Sequence, residues 1–331
     1  MEISNKAKLG QKCLSRVGLG CMGMSEFYGL SDRLQNLDIL NKAVELGYQH
    51  FDTSDMYGMG ENEKLLGEFI QGQNRKSLFI STKFGIKRGP HGGLTRLIDG
   101  SRIYVKEALE KSLERLRLDY VDLYYIHRRD SATPIEETIS ALAELKQQGL
   151  IREIGLCEVS LKTYLQAQAV HPIAAVQSEY SLLSKEPEGG ILQACKENNT
   201  AFVAYSPMSR GLLTGNLNAD SINKTGDARQ NLPRFSAESL NHNLSLVTAL
   251  DTLAKSKGCH PAQIALAWVL HQGEHIHIIP GTRREKYLID NFNSIMIELS
   301  PLELETMRAH FSDDNIIGAR YSEATMSGIN N

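Results

Sequence analysis

Eight short apolar runs, rich in β-branched and aromatic residues, recur along the chain, each followed by a stretch of helical periodicity. They are Val17–Cys21, Tyr48–Asp52, Leu78–Lys83, Tyr120–His127, Ile151–Cys157, Ala174–Gln177, Ala201–Tyr205 and Ile276–Pro280. Each is apolar almost throughout, the pattern of a parallel strand covered on both faces. Between them, Leu37, Leu40 and Val44 fall on one helix face, and Val105, Leu109, Ser112, Leu113 and Leu116 on another. Thr133-Pro134-Ile135-Glu136 predicts an N-cap, an N1 proline and an N3 glutamate, and Gly149 a helix end. Eight strands with interposed helices predict an α/β fold, a (β/α)8 TIM barrel. Lys8–Ser15, with Gly10 at its centre, predicts an N-terminal β-hairpin, so that residues 1–16 precede the barrel. Two long polar segments break the alternation: 216–239, expected to cover the C-terminal face as a long loop, and the 312–331 tail. With no repeat or linker, 1–331 reads as a single domain.

Composition narrows the class. Hydrophobic residues make up 41% of the chain, enough for a full core, and 36 basic against 39 acidic residues leave a charge of −3. That balance recruits neither nucleic acid nor an anionic membrane. No apolar run approaches a membrane span, and Met1-Glu2-Ile3-Ser4-Asn5-Lys6 is no signal peptide. Five cysteines, with no C-x-x-C pair, read as reduced thiols of a cytoplasmic enzyme.

Chemistry in such a barrel sits at the C-terminal strand ends. Those ends carry Cys21-Met22, Asp52, Lys83, His127, Cys157-Glu158, Gln177, Tyr205 and Pro280-Gly281-Thr282. Gly18-Leu19-Gly20-Cys21-Met22-Gly23 also matches G-x-G-x-x-G, which makes a Rossmann dehydrogenase the natural competitor. Its context is missing. A turn-like Met24-Ser25-Glu26-Phe27-Tyr28-Gly29 follows instead of a helix, and Asp52 lies well beyond the roughly 20 residues of that fingerprint. No Tyr-x-x-x-Lys pair occurs either.

Physical chemistry makes sense of these residue types for carbonyl reduction, the reaction that the family resemblance described next implies. A carbonyl accepting hydride needs a proton at its oxygen, and a free tyrosine, with a pKa of about 10, gives one up reluctantly. A lysine ammonium beside the phenol favours phenolate, and a buried lysine in turn needs a carboxylate partner. Tyr57 is the general acid on this reading, Lys83 and Asp52 tune it, and His127 orients the carbonyl. Singly, each residue has an ordinary structural explanation; together, at or beside successive strand ends and in the order of the family resembled, they do not.

Asp52, Tyr57, Lys83 and His127, in Phe51-Asp52-Thr53-Ser54-Asp55-Met56-Tyr57-Gly58, Phe79-Ile80-Ser81-Thr82-Lys83 and Asp122-Leu123-Tyr124-Tyr125-Ile126-His127, give the chain its resemblance to the aldo-keto reductase superfamily. Gly20-Cys21-Met22-Gly23-Met24-Ser25 with Tyr28-Gly29 resembles its broad bacterial, fungal and plant branch. The likeness runs to Ile279-Pro280-Gly281-Thr282-Arg283-Arg284. It implies the (β/α)8 barrel and a nicotinamide dinucleotide bound without a Rossmann fold. By that resemblance Gln177 holds the carboxamide, with Gly20, Met22, Asp52 and Cys157 nearby, and Tyr205 stacks on the ring. Ser206, Pro207, Met208, Ser209, Gly211 and Leu213 wrap the pyrophosphate. Gly281, Thr282, Arg283 and Lys286 at a helix start form a 2′-phosphate site, with Asp290 and Asn291 by the adenine, which favours NADPH over NADH. The substrate is a small aldehyde or ketone, with Met22, Tyr28, Tyr57, Phe84 and His127 lining its pocket.

The chain departs from the family pattern in places. Cys157-Glu158 stands where many relatives have Ser-Asn, and Gly281 and Tyr287 replace a phosphate-binding lysine and arginine, so Arg283 and Lys286 must compensate. Arg128-Arg129-Asp130 after His127 reads first as a local ion pair or solvated charge, and second as an attractor of anionic substrate. His271, His275 and His277 lack a metal-ligand pattern, so no metal is expected. Two other classes compete: a cofactor-sensing binding module like the channel-associated subunits of the superfamily, and a barrel isomerase or aldolase with Lys83 as a Schiff-base nucleophile. Substrate identity, reaction direction and oligomeric state lie outside this reading.

Overall fold

The apolar runs become the staves of a closed barrel. The structure, a computed structural model, describes residues 4–89, 94–222, 224–326 and 329. An antiparallel hairpin, β1 (Lys6–Leu9) and β2 (Lys12–Ser15), comes first, with Gly10 at φ +60° in its turn. The parallel staves are β3 (Leu19–Gly20), β4 (His50–Asp52), β5 (Phe79–Phe84), β8 (Val121–Ile126), β9 (Ile151–Cys157), β10 (Ala175–Glu179), β11 (Ala201–Tyr205) and β12 (Ile276–Ile278), paired in that order. Between the third and fourth staves lies an antiparallel hairpin, β6 (Ile86–Arg88) and β7 (Leu94–Ile98), that the sequence pattern did not predict. A parallel bridge from Val17 to Ile278, with hydrogen bonds from Gly18 N to Ile278 O (2.8 Å) and Ile278 N to Arg16 O (2.8 Å), joins the last stave to the first.

Helices alternate with the staves: α1 (Arg33–Leu46), α2 (Glu61–Gln71), α3 (Arg102–Leu116), α4 (Ile135–Gln147), α5 (Leu161–Val170), α6 (Ile191–Glu197), α7 (Ala219–Ile222), α8 (Ala237–Lys257), α9 (Pro261–His271), α10 (Glu285–Asn293), α11 (Pro301–His310) and α12 (Glu323–Met326). The predicted faces are right: Leu40, Val105, Leu109, Ser112 and Leu116 are all buried. The predicted cap of α4 shifts by one. Pro134 takes the N-cap position, and the Thr133 hydroxyl instead donates to Asp130 at 2.7 Å. The 216–239 segment, expected as a long loop, contains α7, two 3₁₀ turns and the start of α8.

Period-two alternation sorts the staves into two cores. Inward residues Phe79, Leu123, Tyr125, Cys157, Ala175, Ala201 and Val203 pack with Leu9 and Leu14 of the hairpin, which plugs the N-terminal end. Outward residues such as Ile80, Phe84, Tyr124, Ile126, Ile154, Leu156 and Phe202 meet the helices. Gly155 is where the tightest inward contact falls: a Cβ there would lie 2.3 Å from the Tyr125 ring. With one end plugged by apolar side chains, the polar strand ends gather at the other.

Candidate active site

Asp52 ends β4 and Lys83 lies one residue inside the end of β5, both facing inward on adjacent strands. The Lys83 ammonium, wholly buried, is ion-paired with the Asp52 carboxylate and donates to Thr53 O (2.8 Å) and Tyr57 Oη (3.2 Å). Asp52 Oδ2 also accepts from Ser81 Oγ and from Gln177 Nε2, each at 2.9 Å. Tyr57 reaches the group because the backbone turns tightly after β4 and again at Gly58 and Met59, both with φ +56°. His127, following β8, meets Tyr57 edge-on with ring centroids 5.8 Å apart, and its Nδ1 lies 3.1 Å from Ser54 Oγ. Asp52, Lys83 and His127, expected at strand ends, and Tyr57, expected from the family resemblance, therefore converge, with Ser54, Ser81 and Gln177 beside them.

Their electrostatics follow from burial and from one another. Burial pushes the Tyr57 phenol up to about 12, against the pull of Lys83, so it rests protonated. Burial opposes the Lys83 charge, but Asp52 and then Tyr57 more than restore it, and the ammonium is held above its usual range. Burial, followed by repulsion from Lys83 and Arg128, drives His127 well below the usual histidine range. A neutral His127 that accepts at Nδ1 from Ser54 presents an N–H at Nε2. Burial likewise pushes the Cys21 and Cys157 thiols up, which keeps both protonated and unreactive.

Tyr205, at the end of β11, is half-buried, and its hydroxyl lies 3.1 Å from that of Tyr321 in the C-terminal tail. The chain after it is unusually contorted: Ser206, Ser209, Arg210 and Gly211 all have positive φ. Ser209 Oγ bonds Ser181 Oγ (2.7 Å), Leu213 is buried in the shell, and Met208 and Gly211 are partly open. Opposite them, α10 begins at Glu285 without a side-chain cap, preceded by Gly281, Thr282 and Arg283. Lys286 is exposed, Asp290 half-buried, and the buried Asn291 Nδ2 has no partner. Arg283, expected at a phosphate, donates here to Tyr28 O (2.8 Å) and Leu30 O (2.6 Å).

Between these walls, the predicted cover pairs with the loop after β3: Tyr28 bridges Asp227, and Ala228 N donates to Phe27 O (3.0 Å). Met22 and Tyr28 are half-buried there, and the Arg229 guanidinium lies over the Tyr28 ring. Gly20 and Gly281 touch backbone to backbone; a Cβ on Gly20 would sit 2.7 Å from Ile279 O. Phe84 is the exception among the predicted pocket residues. It points outward through the barrel wall, fully buried and stacked on Tyr124 at 4.8 Å, because successive β5 side chains alternate and Lys83 takes the inward position.

Sequence reasoning missed the tail. Arg320, nearly wholly buried, donates to both oxygens of Glu158 (3.1 and 2.8 Å), while Arg210 pairs with Glu179 (2.6 Å). Burial works against the Glu158 charge, yet Arg320 and then Arg128 hold the carboxyl below the usual range. The one signal was Glu158 itself, a carboxylate at a strand end that must find a cation. Among the described residues no cluster of His, Cys, Asp and Glu could hold a metal, and no helix is long and apolar enough to cross a membrane.

The sequence profile of the Aldo/keto reductase family matches residues 16–311. The chain is 41% identical over 326 residues to "Aldo-keto reductase yakc [NADP(+)]" of Schizosaccharomyces pombe, covering 97% of this chain and 96% of that one. Among solved structures, the glycerol dehydrogenase of Gluconobacter oxydans superposes with a TM-score of 0.83 at 26% identity, over 93% of this chain and 96% of the other. A thermostable aldo-keto reductase in complex with the inhibitor epalrestat gives 0.75 at 30%, over 92% and 99%. The chain belongs to the aldo/keto reductase family.

Proposed function

We propose that the protein reduces an aldehyde or ketone to the alcohol with NADPH, Tyr57 acting as general acid. The observation that carries this reading is the buried chain Asp52–Lys83–Tyr57, with His127 edge-on to the phenol. The bound NADPH supplies the hydride. His127 presents its Nε2 hydrogen to the carbonyl oxygen and holds it against Tyr57. As charge grows on that oxygen, Tyr57 gives up its proton, and the ammonium 3.2 Å away stabilises the phenolate left behind. Asp52, in turn, keeps the ammonium charged without exposing it to water.

The residues fit a dinucleotide. The uncapped start of α10 offers free amides to a phosphate, Asn291 holds a buried donor without a partner, and the 206–211 backbone after β11 is contorted by residues of positive φ. Preference for NADPH is supported by Arg283 and Lys286 beside that helix start and by the NADP(+) in the name of the fission-yeast relative. For the phosphate, Arg283 must exchange its bonds to Tyr28 O and Leu30 O. The Schiff-base alternative needs Lys83 neutral and reachable. Here the amine is buried, ion-paired and held charged.

Two measurements test the proposal together. Fluorescence titration is expected to give a lower Kd for NADPH than for NADH, and Tyr57→Phe is expected to lose most turnover while binding NADPH normally. Wild-type turnover by folded Tyr57→Phe would refute the mechanism. Tight NADPH binding with negligible turnover of any carbonyl by the wild type would favour the binding-module reading instead.

A further inference from the structure

We propose that Arg128 forms a subsite for an anionic group, carboxylate or phosphate, carried by the carbonyl substrate. The inference rests on the carbonyl-reductase reading above and narrows its substrate class. Arg128 directly follows His127, and Tyr205, Glu158, Tyr321 and Cys157 lie within its electrostatic reach, which places its guanidinium at the barrel mouth. The local carboxylate does not neutralise it. Asp130 is used up by Gly100 N (3.1 Å), Ala132 N (2.8 Å) and the Thr133 hydroxyl (2.7 Å), all of them loop and helix-start contacts. Among the described residues Arg128 makes no ion pair. Its one hydrogen bond runs from Nη1 to its own neighbour's carbonyl, His127 O, at 2.7 Å.

Among the described residues that bond leaves the Nε and Nη2 hydrogens without a partner on a half-buried side chain. The nearby carboxylates are engaged by other cations. Asp52 pairs with Lys83, Glu179 with Arg210, and Arg320 takes both oxygens of Glu158, the carboxylate that acts on Arg128, and also meets Glu186. Tyr205 and Tyr321, also within that reach, contribute hydroxyls but no formal negative charge. Among the described residues Arg128 is thus a cation without an ion-pair partner, and its planar fork suits an oxyanion. Arg129, the next cation along the chain, buries its Nε without a partner and serves as the comparison.

The test compares 4-carboxybenzaldehyde and 4-formylphenyl phosphate with 4-methylbenzaldehyde, using NADPH and the full chain. The wild type is expected to prefer one of the anionic aldehydes by about tenfold or more in kcat/KM, the scale of a charge-assisted fork. The favoured one tells carboxylate from phosphate. That preference should collapse in Arg128→Met, survive in part in Arg128→Lys and persist in Arg129→Met. It should also shrink as KCl rises from about 50 to about 500 mM, a readout that does not depend on any variant folding. No anionic preference in the wild type, a salt-insensitive one, or one that persists in folded Arg128→Met overturns the subsite. So does a rise in the NADPH dissociation constant of Arg128→Met with the preference intact, which assigns the residue to the cofactor. Should none of the three aldehydes be reduced and Tyr57→Phe behave as the wild type, the carbonyl-reductase reading fails with it.

Discussion

Replacing Lys83 by Met keeps the side chain's length and volume while deleting the charge that faces the phenol. The Nζ–Oη separation is 3.2 Å, at which a unit charge stabilises a phenolate by about 5 kcal/mol at an effective dielectric near 20. If about half of that is felt in the transition state, where the proton is partly transferred, the loss is about 2.5 kcal/mol, or roughly 10²-fold in kcat. KM and the NADPH dissociation constant should move far less, because Lys83 is buried beneath the pocket floor and touches Asp52, Thr53 and Tyr57. The assay is steady-state reduction of an aromatic aldehyde, with thermal unfolding of the same preparation. Leaving Asp52 without its cation costs about 3–5 kcal/mol of stability, so Lys83→Met combined with Asp52→Asn serves as the charge-balanced control. A kcat within about threefold of wild type in the folded variant would refute the assignment of Lys83 as the tuner of Tyr57.

Three further outcomes follow from particular contacts. Burial lowers the pKa of His50 to about 4, whereas in the unfolded chain it titrates near 6.5. The unfolded state therefore binds the extra proton first, and His50 makes stability fall as pH drops from about 6.5 toward 4; thermal unfolding across that window should show a shallower decline in His50→Gln. Arg320→Met leaves Glu158 buried without its main cation, so the 312–322 segment should become cleavable by limited proteolysis where the wild type resists, with Tm lowered. A Cβ on Gly67, in the interior of α2, would sit 2.4 Å from the Arg115 backbone oxygen. Gly67→Ala must push α2 off α3, at about 1–3 kcal/mol in urea unfolding, despite alanine's better helix propensity.

The residues show where sequence reasoning holds and where it stops. Strand runs and helix faces could be read because burial on both sides of a parallel sheet imposes a local pattern that no distant residue needs to complete. The tetrad could be read for a related reason: in a barrel, successive strand ends share one rim, so Asp52, Lys83 and His127 are brought together by topology before any coordinate is known. Hairpin β6–β7 escaped notice because its Ile86–Arg88 strand is short and polar, without the apolar run that betrays a buried stave. Phe84 was placed in the pocket because such loops line it in the family resembled, and a single step of strand alternation sends it through the wall instead.

By itself, then, the sequence determined the order of strands and helices, the barrel they form and, with Tyr57 added by family resemblance, the four groups that meet at its rim, since strands and strand ends depend on local periodicity and chain order. Only the tertiary structure decided which charges meet. Glu158 lies in β9's loop and Arg320 near the chain's end, and nothing in either neighbourhood names the other; their pairing exists because the tail folds back across the mouth. Likewise, the stretch Arg128-Arg129-Asp130 reads as an ion pair until Asp130 is seen spending its oxygens on Gly100, Ala132 and Thr133. Charge compensation is a matter of angstroms, and spacing along a chain does not encode it.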